Sequence, residues 1–277
     1  MVENKIPGNS VCSRKFSGYG IWRINMEYKN TAEKEEIGKE QDLKQQVVTL
    51  KEDYELDFRT REAYKTLRAN LEFSGEDVKV IAVTSCTPNE GKSSVSMNLA
   101  KAIAESGKKV ILIDADLRKS VLIGRYRTGT VRYGLSHYLS GQKSFQEVYC
   151  HTNIKNLYVA FAGPVPPNPS ELLGGKYFEA MIKTLRNIFD YVIIDTPPLG
   201  SVIDSAIVSK QCDGSVLVVA SNEISYKFAQ KVKDQLEKAE CKILGCVLNK
   251  VNISQKGYYG YYGKYYGKYY GQDYENK

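Results

Sequence analysis

Apolar residues along this chain gather in short continuous runs, and the runs alternate with stretches of helical period. Val78-Lys79-Val80-Ile81-Ala82-Val83-Thr84 reads as a buried strand. Further strands are expected at Lys109–Asp114, Leu157–Ala160, Tyr191–Asp195, Ser215–Val219 and Ile243–Leu248. Between them, Ala63, Leu67, Leu71 and Phe73 recur near helical spacing within Arg61–Phe73. A helix over Met97–Ser106 presents Leu99, Ala100, Ile103 and Ala104 and stops at Gly107. Two more helical stretches cover Ser170–Ile188 and Glu223–Ala239. Val/Ile/Leu runs without polar alternation, separated by amphipathic helices, indicate an α/β fold: a mostly parallel central sheet with helices on both faces.

The two ends break this pattern. Residues 1–52 are polar and charged without a clear period, as in Glu33-Lys34-Glu35-Glu36 and Glu40-Gln41-Asp42, and are expected to form a poorly ordered leader. Met26 is an alternative start. The domain proper is expected over residues 53–253. Residues 254–277 form a tail that holds nine of the 21 tyrosines: Tyr258, Tyr259, Tyr261, Tyr262, Tyr265, Tyr266, Tyr269, Tyr270 and Tyr274. Glycine at nearly every third position and the lack of apolar period predict a flexible tether that presents phenol hydroxyls rather than burying rings.

A length of 277 residues fits one substantial core plus tails. No apolar run reaches the roughly 18–20 residues needed to span a bilayer. The six cysteines (Cys12, Cys86, Cys150, Cys212, Cys241, Cys246) show no C-x-x-C spacing and read as reduced, structural thiols of a cytosolic protein. The net charge of +7 suits anionic partners such as nucleotides or an inner membrane face. Without a long basic run or a DNA-reading motif, nucleic acid is not among the expected partners.

Chemistry concentrates where strands end. Ser85-Cys86-Thr87-Pro88-Asn89-Glu90-Gly91-Lys92-Ser93-Ser94 follows a strand and opens a helix, the setting of a phosphate-binding P-loop. Pro88 to Ser94 are the expected nucleotide contacts. Lys92 can neutralise β- and γ-phosphate oxygens, and the Ser93 hydroxyl can bind Mg²⁺. Ser85 stands where the standard pattern opens with Gly. Asp114 and Asp195 end two further strands, so three reactive segments converge on one sheet edge. Asp114, Asp116 and Asp195 are the candidate acids: some to hold Mg²⁺ with Ser93, one to orient or deprotonate an incoming hydroxyl. Asp116 can alternatively cap a helix or pair with Arg118. Asn249, at the end of the last strand, can read an adenine edge or simply form a turn.

The P-loop, the segment Asp114-Ala115-Asp116-Leu117-Arg118 and the segment Asp195-Thr196-Pro197-Pro198 resemble the Walker A, A′ and B motifs of the bacterial tyrosine kinases, the capsular and exopolysaccharide autokinases related to ParA/MinD-type P-loop ATPases. The resemblance covers roughly Leu56 to Val251, and includes Pro166-Pro167-Asn168-Pro169-Ser170-Glu171-Leu172-Leu173, where Ser170 is expected to cap a helix. It implies a Mg-ATP-dependent tyrosine autokinase that modifies its own tyrosine cluster, between subunits of a ring. It also implies a membrane adaptor that recruits and stimulates the cytoplasmic kinase, a cognate tyrosine phosphatase, and control of surface polysaccharide. Three positions depart from the family pattern: Asn89 replaces Gly, Ser120 replaces Pro, and the ring-assembly helix motif reads Glu62, Lys65, Arg68, with Lys65 in place of an Arg and its planar fork. The alternative is a ParA/MinD-like ATPase switch without kinase activity. Against it, Ser85 to Pro88 lack the extra Lys of that group, and that group lacks a tyrosine-rich tail.

Overall fold

The computed structural model describes residues 46–51, 56–126 and 130–251. The leader up to residue 45, Met26 and the nine tail tyrosines lie outside the described residues. In chain order the strands are β1 (Gln46–Val48), β2 (Val80–Ser85), β3 (Val110–Asp114), β4 (Cys150–Thr152), β5 (Leu157–Ala160), β6 (Tyr191–Asp195), β7 (Gly214–Ala220) and β8 (Ile243–Asn249). The helices are α1 (Phe58–Glu72), α2 (Lys92–Glu105), α3 (Leu122–Arg125), α4 (Leu135–Leu139), α5 (Phe145–Val148), α6 (Pro169–Leu173), α7 (Lys176–Ile188), α8 (Asp204–Ser209) and α9 (Tyr226–Lys238).

The strands form one sheet in the order β1-β4-β5-β3-β6-β2-β7-β8, parallel throughout except between β4 and β5. Every residue of β2, β3 and β7 is buried, which is why these strands read as unbroken apolar runs. Successive side chains still serve opposite faces. Ile81 and Val83 pack in one core layer with α2, and Val80 and Ala82 pack in the other with α7. Helix α7 buries Phe178, Met181, Ile182 and Leu185, the i, i+3, i+4, i+7 stripe of a helix lying on a sheet. Each such side chain contributes about 1.5–3 kcal/mol on removal from water.

Four expectations are corrected. Helix α2 begins at Lys92, five residues before Met97; its first turns carry Ser93, Ser94 and Ser96, which hid the helical period. The stretch Ser170–Ile188 is two helices broken at Gly174-Gly175, and Ser170 sits inside α6, whose N-cap is Asn168 with Pro169 in the first turn. Phe73 is the C-cap of α1 and 86% exposed, so it is not part of that helix's packed stripe. The sheet also starts earlier than residue 53. Strand β1 pairs with β4, and Val48 and Leu50 are buried.

Gln46 anchors that early segment. Its Nε2 donates to the carbonyls of Tyr133, Glu147 and Val148 (3.1, 2.6 and 3.2 Å), while its Oε1 accepts from Arg132 N at 2.8 Å. Three residues are too few to show a period, so composition assigned them to the polar leader. Replacing Gln46 with Ala strands these partners and is expected to cost about 1–3 kcal/mol. A urea-unfolding midpoint unchanged from wild type would remove β1's anchoring role.

Candidate active site at the carboxyl edge of the sheet

The central strands β3, β6 and β2 are adjacent, and the register sets Asp114 directly beside Asp195 and Asp195 beside Val83. Two carboxylates at neighbouring strand ends repel, and both are buried, at 0% and 1% exposure. Burial pushes the Asp114 carboxyl up to about 7, reinforced by the Asp195 charge and partly relieved by the Ser120 hydroxyl and Lys92. Burial likewise raises Asp195, against the pull of Lys92 and of hydrogen bonds from Ser93 and Ser96.

The P-loop brings the compensating charge. Lys92 Nζ lies 3.2 Å from Asp116 Oδ2 and 3.8 Å from Asp195 Oδ2. Burial disfavours the ammonium, but Asp195, Asp116 and Asp114 together outweigh it and hold the Lys92 pKa above its ordinary value. Ser96, one turn beyond Lys92 on the same helix, donates to Asp195 Oδ1 at 3.1 Å. Ser120 donates to Asp114 Oδ2, which leaves Asp114 Oδ1 buried and without a partner among the described residues. A buried acidic oxygen with no donor, close to a serine hydroxyl and a lysine, fits a hydrated divalent cation beside phosphate.

The loop's shape is fixed by contacts that point away from the cleft. Gly91 has φ +90°, and a Cβ there would lie 2.3 Å from Asn249 Nδ2. Asn89 also adopts a left-handed φ of 69°, a conformation that asparagine tolerates better than most residues, so its replacement of Gly preserves the turn. Glu90 is 1% exposed and turns inward. Its Oε1 accepts from Thr87 N and Thr87 Oγ1, and its Oε2 accepts from Ala220 N at 2.9 Å. Asn249 Nδ2 donates to Glu90 O at 2.8 Å. Thus the side chain of Glu90 ties the loop to the end of β7, and Asn249 ties it to the end of β8.

A cleft of about 280 Å³ opens over the loop, lined by Pro88, Asn89, Gly91, Lys92, Ser93 and Asp116 and also by Arg118, Lys119, Pro197 and Pro198. Ser94 lies outside this cleft and is bonded by Arg125. Asp116 does not pair with Arg118. It takes Lys92 on one oxygen and Lys119 N on the other at 3.0 Å. Arg118 forms a fork on Asp204, with Nε–Oδ2 at 2.7 Å and NH2–Oδ1 at 3.1 Å, and Ser170 Oγ joins at 2.6 Å from Asp204. Burial alone would raise the Asp204 carboxyl; the Arg118 and Ser170 bonds outweigh it and hold it below the usual range. No local pattern marks Asp204, which is 86 positions from Arg118. Ser96 was detectable in principle, because i and i+4 share a helix face.

The three assembly candidates on α1 divide. Lys65 and Glu62 pair with each other at 2.7 Å on the exposed face. Arg68 instead donates to Ala102 O at 3.2 Å, and so braces α1 against α2 within the chain.

The raised Asp114 pKa carries a stability consequence. A carboxyl whose folded pKa exceeds its unfolded value of about 3.9 destabilises the fold once the pH passes that value, fully so above about 7. In ligand-free protein, Asp114→Asn is therefore expected to raise the thermal midpoint at pH 8, and to lose that advantage as the pH falls toward 4. Melting curves at both pH values check this; an equal effect at pH 8 and pH 4 would contradict the burial argument.

Comparison with known proteins agrees with this geometry. A family model described as an AAA domain matches residues 78–243. The tyrosine-protein kinase CpsD of Streptococcus agalactiae is 46% identical over 209 residues, which span 74% of this chain and 91% of that protein. Among solved structures, the kinase domain of Escherichia coli tyrosine kinase ETK superposes with a TM-score of 0.65 at 33% identity, covering 72% of this chain and 80% of that one. MinD of Pyrococcus horikoshii, complexed with Mg-ADP, gives a TM-score of 0.55 at 25% identity over 64% of this chain and 72% of its own. With a P-loop ATPase fold, a lysine set among three strand-end acids, and close likeness to a tyrosine kinase along most of its length, the chain belongs to the bacterial tyrosine-protein kinases.

Proposed function

We propose that this kinase transfers the γ-phosphoryl group of ATP to the tyrosines of its own C-terminal segment. The observation that carries the reading is the placement of Lys92 between Asp116 and Asp195 at the mouth of a cleft, in a chain whose last residues hold nine tyrosines. Lys92 would leave its carboxylates for the β- and γ-phosphate oxygens, and backbone N–H groups of the loop and of the first turn of α2 would face the phosphates. Ser93, backed by Asp114 and Asp195, would hold Mg²⁺, and the partnerless Asp114 Oδ1 supports that choice. The ion would neutralise charge on the phosphate oxygens.

Asp116 is favoured over Asp114 as the group that meets the acceptor. It lines the cleft, whereas Asp114 is fully buried. Asp116 would accept the phenol proton as the tyrosine oxygen bonds to Pγ and the bond from Pγ to the β-bridging oxygen breaks, releasing ADP. Arg118, held rigid by Asp204, and Lys119 would position the chain that carries the tyrosine. Asn249 Oδ1 remains for a purine edge, since Nδ2 is committed to the loop.

The family resemblance supports the wider setting: transfer between neighbouring subunits, a membrane adaptor that recruits the kinase, an opposing tyrosine phosphatase, and control of capsular or exopolysaccharide synthesis. Among the described residues no helix is long and apolar enough to cross a membrane. Glu62 and Lys65, exposed on α1, are the residues available for contact with a neighbouring subunit.

Lys92→Met is expected to lower autophosphorylation at least a hundredfold. It is also expected to lower the thermal midpoint, because it leaves Asp116 and Asp195 uncompensated. Retained activity in a phosphotyrosine assay would refute the site. Deleting residues 257–277 is expected to leave ATP binding intact and to remove most incorporated phosphate. Near-normal incorporation would show that the main acceptors lie elsewhere.

A further inference from the structure

The cleft over the phosphate loop is lined mainly by one sign of charge. Lys92, Arg118, Lys119 and Arg125 stand in it against a single carboxylate, Asp116. Two of these cations are already engaged, Lys92 with Asp116 and Asp195, and Arg118 with the buried Asp204. Lys119 and Arg125 are exposed and have no carboxylate partner among the described residues. Arg125 bonds Ser94 at the phosphate loop, where the phosphates of a nucleotide would draw it. Lys119 is placed differently. Its backbone N–H donates to Asp116 Oδ1 at 3.0 Å, so this uncommitted ammonium belongs to the residue that touches the proposed proton acceptor.

A tyrosine whose oxygen reaches Asp116 brings its chain neighbours to Lys119, because adjacent residues lie only about 3.8 Å apart. The C-terminal segment offers two kinds of neighbour. Tyr274 stands between Asp273 and Glu275. The other eight tyrosines form the pairs Tyr258-Tyr259, Tyr261-Tyr262, Tyr265-Tyr266 and Tyr269-Tyr270, and every residue flanking a pair is glycine or lysine. A flanking lysine meets Lys119 with like charge; a flanking carboxylate meets it with the opposite charge.

We propose that the cleft selects a tyrosine with an anionic neighbour, that Lys119 reads that neighbour, and that Tyr274 is therefore the first residue phosphorylated. The inference rests on the kinase reading above and names its preferred acceptor. The transfer is the same: the Tyr274 oxygen bonds to Pγ of ATP, the bond from Pγ to the β-bridging oxygen breaks, ADP leaves, and the phenol proton passes to Asp116. A phosphotyrosine carries about −1.5 to −2 at neutral pH. Phosphate on one member of a pair thus supplies the other with the flank it lacked, and a pair once begun is completed. Lys119 is a specificity-determining residue that acts on the neighbour of the acceptor, not on the phosphoryl group.

Full-length protein, first stripped of phosphate by a tyrosine phosphatase, is given Mg-ATP, and early phosphate on each C-terminal tyrosine is followed by fragmentation mass spectrometry. Tyr274 should gain phosphate roughly three- to tenfold faster than any paired tyrosine, the range set by one or two exposed charge pairs. Asp273→Asn combined with Glu275→Gln should abolish the lead while leaving Tyr274 at the same place in the chain. Lys119→Ala should abolish it too, and Lys119→Arg should keep it. A lead that survives the neutral double variant would show that position along the chain sets the order, and would overturn the proposal. So would a lead that survives Lys119→Ala, its loss in Lys119→Arg, or a wild type in which Tyr274 is no faster than the pairs. The double variant decides the matter if Lys119→Ala fails to fold. Each of these outcomes leaves the kinase reading standing, whereas wild type with no phosphate on any C-terminal tyrosine would overturn both.

Discussion

The organisation of this protein depends on one electrostatic constraint. Parallel pairing of β3 with β6 sets Asp114 and Asp195 side by side, out of water, and Asp116 follows two residues later. Like charges in a poorly solvated place are costly unless an opposite charge is held close. Lys92 is that charge, and burial together with the Asp195 charge still pushes the Asp114 carboxyl up to about 7 against it. The arrangement suits phosphoryl transfer. On the proposed reading, excess negative charge around a lysine would draw a divalent cation, and the phosphates arriving with it would give the lysine new partners.

Holding Lys92 in place requires a loop that bends sharply without side-chain capping of the helix it opens. Two left-handed residues make the bend, Asn89 and Gly91. Glu90 between them anchors it from beneath, through Thr87 and the backbone of Ala220. Asn249 holds the same peptide from β8, close enough to Gly91 that no side chain fits there. The loop thus joins β2 to the ends of β7 and β8. The strand that precedes the tyrosine-rich segment thus touches the P-loop through Asn249, two residues before the described residues end at Val251. On the other flank, Arg118 is fixed by Asp204 and by Ser170 in α6, so α6 bears on the cleft through a half-exposed ion pair rather than through a Ser170 helix cap.

Much of this was legible in the residues alone. The six longer strands were visible because each is a short apolar run, which in β2, β3 and β7 reflects burial on both faces, and Lys92, Ser93, Asp114 and Asp195 were visible because strand ends are where such sheets hold ligands. Less legible were elements too short to show a period, β1 and α3 to α5 among them, and a helix whose first turns are made of serines. The inward turn of the Glu90 side chain was illegible for a different reason: its local sequence contains nothing to show that Ala220, 130 positions away, waits with a backbone N–H.

The sequence by itself determined the α/β architecture, the P-loop, the acids at the strand ends and the tyrosine-rich end, because each is written in contiguous residues whose local pattern has a physical meaning. Only the tertiary structure decided which acid meets the cleft, which one is buried beside a neighbour of like charge, and which polar groups are spent on holding the loop. Those outcomes depend on strand order and register. They bring Asp114 to Asp195, Glu90 to Ala220 and Arg118 to Asp204, pairs whose separation along the chain leaves no local trace.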